Sequence, residues 1–133
     1  MDYEDFQARL ENLGEMLEGT YTLIGKLCMR LPLPINLPPI PLDGDRGLLD
    51  GEGLAVAEVV ERARVALLDL PMDDVTTAVF NTLLIEWLTT RELYALADFG
   101  PPHEYLPPSM LLALERMGRM VDYLEDRLDN PET

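Results

Sequence analysis

The sequence predicts an all-α protein, a single-domain four-helix bundle with a long Pro-rich crossover between helices 1 and 2. Three observations predict this fold. Apolar residues recur every three or four positions in four separate stretches, which is the period of an amphipathic helix. No stretch shows the strict apolar and polar alternation of a half-buried strand. The 133 residues, 47% of them hydrophobic, are enough for one helical domain spanning 1–133 with its own core.

The first helix is predicted over residues 2–30. Its glycines, Gly14, Gly19 and Gly25, each weaken a helix by roughly 1 kcal/mol relative to alanine. We therefore expect a bend or a close helix contact near Gly19. Its apolar residues follow in steps of three and four and make a nearly heptad stripe: Phe6, Leu10, Leu13, Leu17, Tyr21, Ile24, Cys28 and Leu31.

A Pro-rich arm over residues 31–42 follows the first helix. Repeated prolines exclude a helix and favour an extended or polyproline conformation. A solvated linker would be polar, so we expect this arm to pack along the bundle. We expect its apolar residues either to be covered by the same chain or to be exposed for contact with another chain: Leu33, Ile35, Leu37 and Ile40.

The length of the arm leaves two topologies open. At roughly 3.1 Å per residue, residues 32–43 span about 35 Å, which is the length of a helix of about 23 residues. The arm can therefore return along a whole helix, so that helices 1 and 2 run parallel. The alternative is a simple up-and-down bundle.

The second and third helices are predicted over residues 52–70 and 73–98. Pro71 ends the former, and Asp73 is a good N-cap for the latter. The sequence Thr-Thr-Arg-Glu at 89–92 fits a capping box, which would restart the third helix there. We favour one uninterrupted helix with an outward threonine pair.

The fourth helix is predicted over residues 108–128, opening at Pro108, because proline is accepted in the first turn of a helix. Residues 129–133 form an acidic tail. The apolar positions of this helix again recur every three or four residues: Leu111, Leu114, Met117, Val121, Leu124 and Leu128.

The sequence lacks the sets of residues that most catalytic sites need. Cys28, His103 and Ser109 are each the only residue of their kind, so neither a disulfide within the chain nor a zinc knuckle is possible. The pairs Cys28–His103 and Ser109–His103 lack the context of a nucleophile and its base. No phosphate-binding glycine motif is present. We therefore expect a non-enzymatic protein without a cofactor.

Carboxylate metal sites are the remaining catalytic option. Glu58 and Glu61 lie three residues apart on the second helix, and four acids fall within residues 43–52. An EF-hand read from Asp43 has Leu48 in place of glycine and Leu54 in place of glutamate. Turn chemistry and a solvated helix face account for these acids as well. A magnesium- or calcium-dependent enzyme stays a third interpretation.

The overall charge limits the classes of partner that the protein can bind. The chain has 25 acidic and 10 basic residues, a net charge of -15. Binding to a phosphate backbone or an anionic lipid surface needs clustered Lys and Arg, so neither nucleic acid nor a membrane is expected as a direct partner. No uncharged run is long enough to span a bilayer. The acidic N-terminus and the single cysteine predict a cytoplasmic protein.

The acids concentrate near the two chain ends. Residues 1–18 hold six acids and one arginine, a net charge of -5, and residues 122–133 hold five acids and one arginine, a net charge of -4. The C-terminal acids oppose the helix macrodipole. If the bundle is up-and-down, the two groups lie together, whereas parallel helices 1 and 2 separate them. The candidate acidic residues are Glu4, Asp5, Glu11, Glu15, Glu18, Asp122, Glu125, Asp126 and Asp129.

These features predict an acidic helical protein-binding module of the inhibitor, immunity or assembly-chaperone type. Its partner would be a basic protein surface, and charge attraction would make binding fast and sensitive to salt. The alternative is a structural subunit of a larger oligomeric, viral or secretion assembly, packed on a neighbouring subunit through the apolar arm. A homo-oligomer is compatible with either.

Overall fold

A computed structural model describes residues 3–38 and 51–129. In the second helix, the side chains are described from Val56 onward. Four α-helices make up this part of the chain, and it contains no strand. The predicted all-α four-helix bundle is therefore confirmed. The helices are α1 (Tyr3–Cys28), α2 (Gly51–Leu67), α3 (Asp74–Phe99) and α4 (Leu106–Asp129).

The observed helix ends follow local chemistry. The carboxylate of Asp73 accepts the backbone N–H of Thr76 at 3.0 Å, so the predicted N-cap of α3 is present. Three residues after α2 bond back to the carbonyl three positions earlier, which ends that helix before Pro71. The helix α4 begins two residues earlier than predicted, because Pro107 and Pro108 both fit in its first turn.

One uninterrupted helix crosses residues 89–92, as we favoured, but the threonine pair does not point outward as a unit. Thr89 is exposed, whereas Thr90 is fully buried and donates its hydroxyl to the carbonyl oxygen of Glu86 at 2.7 Å. That bond to the preceding turn satisfies the hydroxyl inside the helix, so a buried threonine needs no cap or break here.

Contacts between helices fix their directions. Gly14 and Leu17 of α1 meet Tyr94 and Trp87 of α3, in reverse order, so these helices are antiparallel. The helix α3 is also antiparallel to α4: the guanidinium of Arg116 lies 3.1 Å from the carboxylate of Glu86, and Arg127 lies 3.2 Å from Asp73. The short turn after α2 makes α2 and α3 a hairpin, in which Arg64 reaches Asn81 at 3.3 Å.

The helices α1, α2 and α4 therefore run in one direction and α3 runs in the other. Residues 9–16 of α1 share a groove with residues 107–111 of α4, and Arg30 pairs with Asp129, which confirms that α1 and α4 are parallel. Since α1 and α2 are also parallel, the chain between them has to return over the length of a helix. Of the two open topologies, this excludes the simple up-and-down bundle.

The core is centred on α3, which packs against all three other helices, while α2 closely approaches α3 alone among the described helices. Trp87 is completely buried and donates its indole N–H to the carbonyl oxygen of Leu17 at 3.0 Å. The Trp87 ring lies 5.1 Å from that of Tyr21, a normal distance for a packed aromatic pair. All eight residues of the predicted α1 stripe are buried.

The close helix contact in α1 is at Gly14, and the expectation of one near Gly19 was wrong. A Cβ at position 14 would lie 2.8 Å from Cε2 of Tyr94, whereas one at position 19 would meet no atom within 4 Å. Gly14 faces α3 and lies under a buried ring, while Gly19 faces outward. Spacing alone did not show which glycine a neighbouring aromatic ring would cover.

Candidate functional site

A row of glutamates follows the outward face of α1. Glu4, Glu11, Glu15 and Glu18 are separated by seven, four and three residues, so they share the face opposite the buried stripe of the helix. The first three are exposed and Glu18 is half-buried. We call these four residues the α1 glutamate row. About four turns of one helix thus present negative charge in a line.

The glutamate row is electrostatically unfavourable within the chain itself. Partial burial and, secondarily, the neighbouring charge of Glu15 raise the pKa of Glu18 above its ordinary value. Like charges three or four residues apart cost about 0.2–0.5 kcal/mol per pair. Glu11, Glu15 and Glu18 form no ion pair with another residue in the described ranges. A cation placed over this row would therefore relieve repulsion.

Between α1 and α4 lies a shallow apolar groove of about 310 Å³. No glutamate of the row lines it, and of the row only Glu15, one turn after the lining residue Asn12, lies near its α1 edge. The exposed fractions of Met16 and Leu111 are 37% and 40%, large for apolar side chains in a groove. The lining residues are Arg9, Asn12, Leu13, Met16, Pro107, Pro108 and Leu111.

The outward face of α4 carries acids beyond the groove, which we call the α1–α4 groove. Glu115 lies one turn after Leu111, and Asp122 lies two turns after Glu115 on the same face. Both are exposed, as are Glu125 and Asp126. Carboxylates of α4 therefore continue the apolar face that lines the groove.

Asp129 has a structural partner. Its carboxylate bonds to the guanidinium of Arg30 in the turn after α1, with 39% of the Arg30 side chain and 63% of the Asp129 side chain exposed. Arg127, in the last turn of α4, bonds to Asp73 at the start of α3. Because these arginines neutralise part of the charge at the end of α4, its acids are weaker candidates for partner binding than the glutamate row.

The two acidic groups predicted from the sequence do not form one pole. The glutamate row begins where α1 begins, whereas Asp122, Glu125, Asp126 and Asp129 lie where α4 ends. Since α1 and α4 are parallel, these places are at opposite ends of the bundle. The topology that the arm makes possible is the physical reason.

Asp5 is exposed but does not belong to the row, because it lies a quarter turn away from Glu4 around α1. Both residues lie in the first turn of the helix. Carboxylates there interact favourably with the positive end of the helix macrodipole. This local stabilisation is a reason within the chain itself for acids at positions 4 and 5.

The Pro-rich arm packs mainly against its own chain. The backbone N–H of Ile35 bonds to the carbonyl oxygen of Cys28 at 3.0 Å, and the hydroxyl of Tyr21 donates to the carbonyl oxygen of Pro38. Leu37 is buried with the core and Ile35 is half-buried against it. These contacts lay the arm back along α1. Ile35 and Leu37 are therefore not available to a partner.

Leu33 is an apolar residue of the arm that stays accessible to a partner. Its side chain is 66% exposed. Ile40 lies outside the described residues, as do the acids of the predicted calcium loop from Asp43 to Asp50.

The residues of the candidate catalytic pairs lie far apart or form ion pairs with arginines. Cys28 ends α1, while His103 precedes α4 at the opposite end of the bundle, so the two cannot act together. Burial raises the pKa of the Cys28 thiol to about 12. Glu58 lies 3.9 Å from Arg62 and Glu61 lies 2.6 Å from Arg64. Among the described residues no group of three or more His, Cys, Asp or Glu side chains could hold a metal ion.

Sequence reasoning found the glutamates but missed the groove between α1 and α4. Residues 9–16 and 107–111 come from opposite ends of the chain, and only the parallel packing of α1 and α4 brings them together. Exposed apolar residues on α1 and α4 were the available signal, but which helices are neighbours cannot be read from one sequence.

No helix over residues 3–38 and 51–129 is both long and apolar enough to cross a membrane. No protein-family model, no curated protein and no solved structure matches the chain.

Proposed function

We propose that this protein is a non-enzymatic binding module that holds a basic amphipathic helix of another protein in the α1–α4 groove. The observation that carries the proposal is an apolar groove of about 310 Å³ between two parallel helices, in a chain of net charge -15 whose exposed Glu115 lies one turn beyond the groove residue Leu111. The lone thiol suits the reducing cytoplasm, where we propose that the protein acts.

The chemistry of such docking follows from the lining. An amphipathic partner helix would place apolar side chains against Met16 and Leu111, and its basic side chains would reach Glu15 on α1 and Glu115 on α4. Apolar contact would supply most of the affinity. The carboxylates would set the orientation and accelerate association, because the net charge of -15 attracts a cationic partner.

Arg9 opposes this docking at one end of the groove. It lines the groove about one turn before Leu13, and its positive charge would repel a basic partner. The cationic residues of the partner should therefore lie towards Glu15 and Glu115, away from the start of α1. Replacing Arg9 with glutamine should tighten binding.

A synthetic peptide tests the proposal. The probe is a Leu- and Lys-containing amphipathic helix of roughly 18 residues, five turns long, with titration at low salt and at 0.5 M salt. Removing two exposed charges by Glu15→Gln and Glu115→Gln should weaken binding about 2- to 30-fold at low salt, since an exposed charge pair contributes about 0.2–1 kcal/mol. High salt should weaken the wild type more than this variant.

The matched control removes two charges elsewhere. The variant Glu58→Gln with Asp69→Asn makes the same change in net charge at exposed residues of α2 and of the turn after it, away from the groove. It should bind the peptide like the wild type. Equal weakening by both double variants would mean that only total charge matters, and undiminished binding after Leu111→Asp would exclude the groove.

A further inference from the structure

The outward face of α3 carries a second surface with a different character. Its exposed positions follow one another in unbroken alternating steps of three and four residues from the first turn of the helix to the last. We call this set the α3 stripe. Its members are Val75, Ala78, Thr82, Ile85, Thr89, Glu92, Leu96 and Phe99.

The spacing of the α3 stripe is that of a coiled-coil seam, in which the a and d positions of a heptad face a partner helix. The exposed fractions of Val75, Ile85, Leu96 and Phe99 are 59%, 42%, 54% and 63%. The hydroxyl of Thr82 donates to the carbonyl oxygen of Ala78 at 2.8 Å, so it needs no partner from outside the helix. The stripe is thus a continuous, mostly apolar seam on the protein surface.

The charge of the α3 stripe is close to zero. Its single ionisable member is Glu92, and one oxygen of that carboxylate accepts a hydrogen bond from Nη1 of Arg91 at 3.0 Å. The Arg91 side chain is only 6% exposed, so this cation is held in place beneath the seam. In a chain of net charge -15, two copies repel each other least where their surfaces carry no charge.

The order of residues along the stripe is self-complementary in one orientation. An antiparallel pair centred on Trp87 puts Val75 opposite Phe99 of the second copy and Ala78 opposite its Leu96, so that smaller side chains face larger ones. The same pairing puts Ile85 opposite the other copy's Thr89. A parallel pair would instead set Glu92 against Glu92, and like charges facing each other across a seam are unfavourable.

We propose that the α3 stripe is the contact surface of a homodimer in which two copies of α3 pair antiparallel about Trp87. A seam of 25 residues is about 37 Å long, and at about 10 Å wide it buries roughly 370 Å² per copy. That is below the roughly 800 Å² per partner of a standard stable interface. The dimer is therefore weak and depends on protein concentration.

Pairing through α3 leaves the α1–α4 groove open. The indole of Trp87 points from α3 to Leu17 of α1, so α1 covers the face of α3 opposite the stripe. The glutamate row in turn lies on the face of α1 that is opposite its buried stripe. The dimer carries two α1–α4 grooves away from its seam, an arrangement in which two linked sites bind a bivalent partner more tightly than either alone.

Disulfide trapping tests the orientation. Equal amounts of Ile85→Cys and Thr89→Cys proteins are mixed under mild oxidation, with separate samples of each alone and of the wild type. Antiparallel pairing predicts mainly the mixed disulfide. Parallel pairing predicts that each variant links to itself, which would overturn the proposal. The native Cys28 is buried, so the wild type should give no covalent dimer.

Sedimentation equilibrium tests the surface. The substitution Leu96→Glu should raise the dissociation constant of the dimer at least about tenfold, because it places a charge against the seam twice per dimer. The matched control Leu112→Glu makes the same change at an exposed leucine of α4 and should have little effect. Circular dichroism verifies that both variants remain folded.

Salt separates this proposal from the docking of a basic partner. Screening reduces repulsion between two chains of net charge -15, so the dimer should become tighter as salt rises, whereas peptide binding should become weaker. A strict monomer at millimolar protein and 0.5 M salt would overturn the dimer and leave the function proposed for the groove untouched. Equal loss of dimer with Leu96→Glu and Leu112→Glu would also overturn it.

Discussion

The helices α1 and α3 are equal in length, 26 residues each, and lie antiparallel against each other, yet their outward faces differ in kind. The face of α1 carries four glutamates in a row, whereas that of α3 carries one glutamate within a mostly apolar stripe. A strongly acidic composition therefore does not produce a uniformly acidic surface. Acids line the outward face of α1, whereas the α3 stripe is nearly uncharged.

Counting charges along the chain conceals this difference. Residues 73–100 hold five acids and one arginine, a net charge of -4, so this stretch looks as acidic as any other. Yet Asp73 caps the helix, Glu86 lies beside it against Arg116, and Glu92 is bonded to Arg91. Which face each acid occupies, and which cation it meets, decides the character of the surface.

The largest effect should come from breaking the packing that holds the two helices back to back. Replacing Trp87 with alanine should cost about 3–5 kcal/mol in the free energy of unfolding, because it removes a fully buried indole and leaves a cavity. Urea denaturation measures this loss. The control Ile85→Ala, on the exposed stripe of the same helix, should stay within about 0.5 kcal/mol of wild type. Equal losses would mean that the two faces of α3 are packed alike.

Glycine substitutions should distinguish the inner and outer faces of α1. The Cβ of Gly14→Ala would press on the buried Tyr94 ring, while that of Gly19→Ala would meet open space and remove a helix-weakening glycine. The two variants should differ in unfolding free energy by about 1–3 kcal/mol, with Gly14→Ala the less stable. Thermal and urea unfolding check the order. The reverse order would place the helix contact elsewhere.

A smaller effect is expected where the arm meets α1. The substitution Tyr21→Phe removes the hydrogen bond to the carbonyl oxygen of Pro38 and should cost about 0.5–1.5 kcal/mol near pH 7.

The same residue predicts a pH dependence. Burial and, secondarily, the nearby Cys28 raise the pKa of Tyr21 to about 12. Since the folded pKa exceeds the unfolded one, this stabilisation is complete below a pH of about 10 and is lost towards pH 12. Wild type and Tyr21→Phe should converge over that range in denaturation experiments. A gap that widens instead would contradict a neutral, donating hydroxyl.

The smallest effect concerns the glutamate row itself. The pKa of Glu18 is raised, so its ionised form is less favourable in the folded chain than in the unfolded one, and the penalty applies only above a pH of about 4. The substitution Glu18→Gln should therefore add about 0.2–0.5 kcal/mol of stability at pH 7 and none at pH 3. Denaturation at both pH values measures it. Destabilisation at pH 7 would show that the charge has a stabilising partner.

The fold was largely predictable because hydrophobic periodicity acts locally. The α1 stripe, the Asp73 cap and the continuous α3 all follow from residues within a few turns of one another. The contact at Gly14 and the pairing of Arg30 with Asp129 join residues far apart in sequence, so no local pattern could identify them. The same limitation applied to the site: the acids were visible in the sequence and the groove between α1 and α4 was not.

The sequence by itself determined that four amphipathic helices form, that the chain is acidic and that the linker after α1 is too rich in proline to be helical. Only the tertiary structure decided that α1, α2 and α4 are parallel, that the acidic ends lie apart and that α3 keeps an uncharged outer face. The physical reason is that helix formation depends on neighbours a few residues away, whereas packing depends on which buried stripes meet across the core.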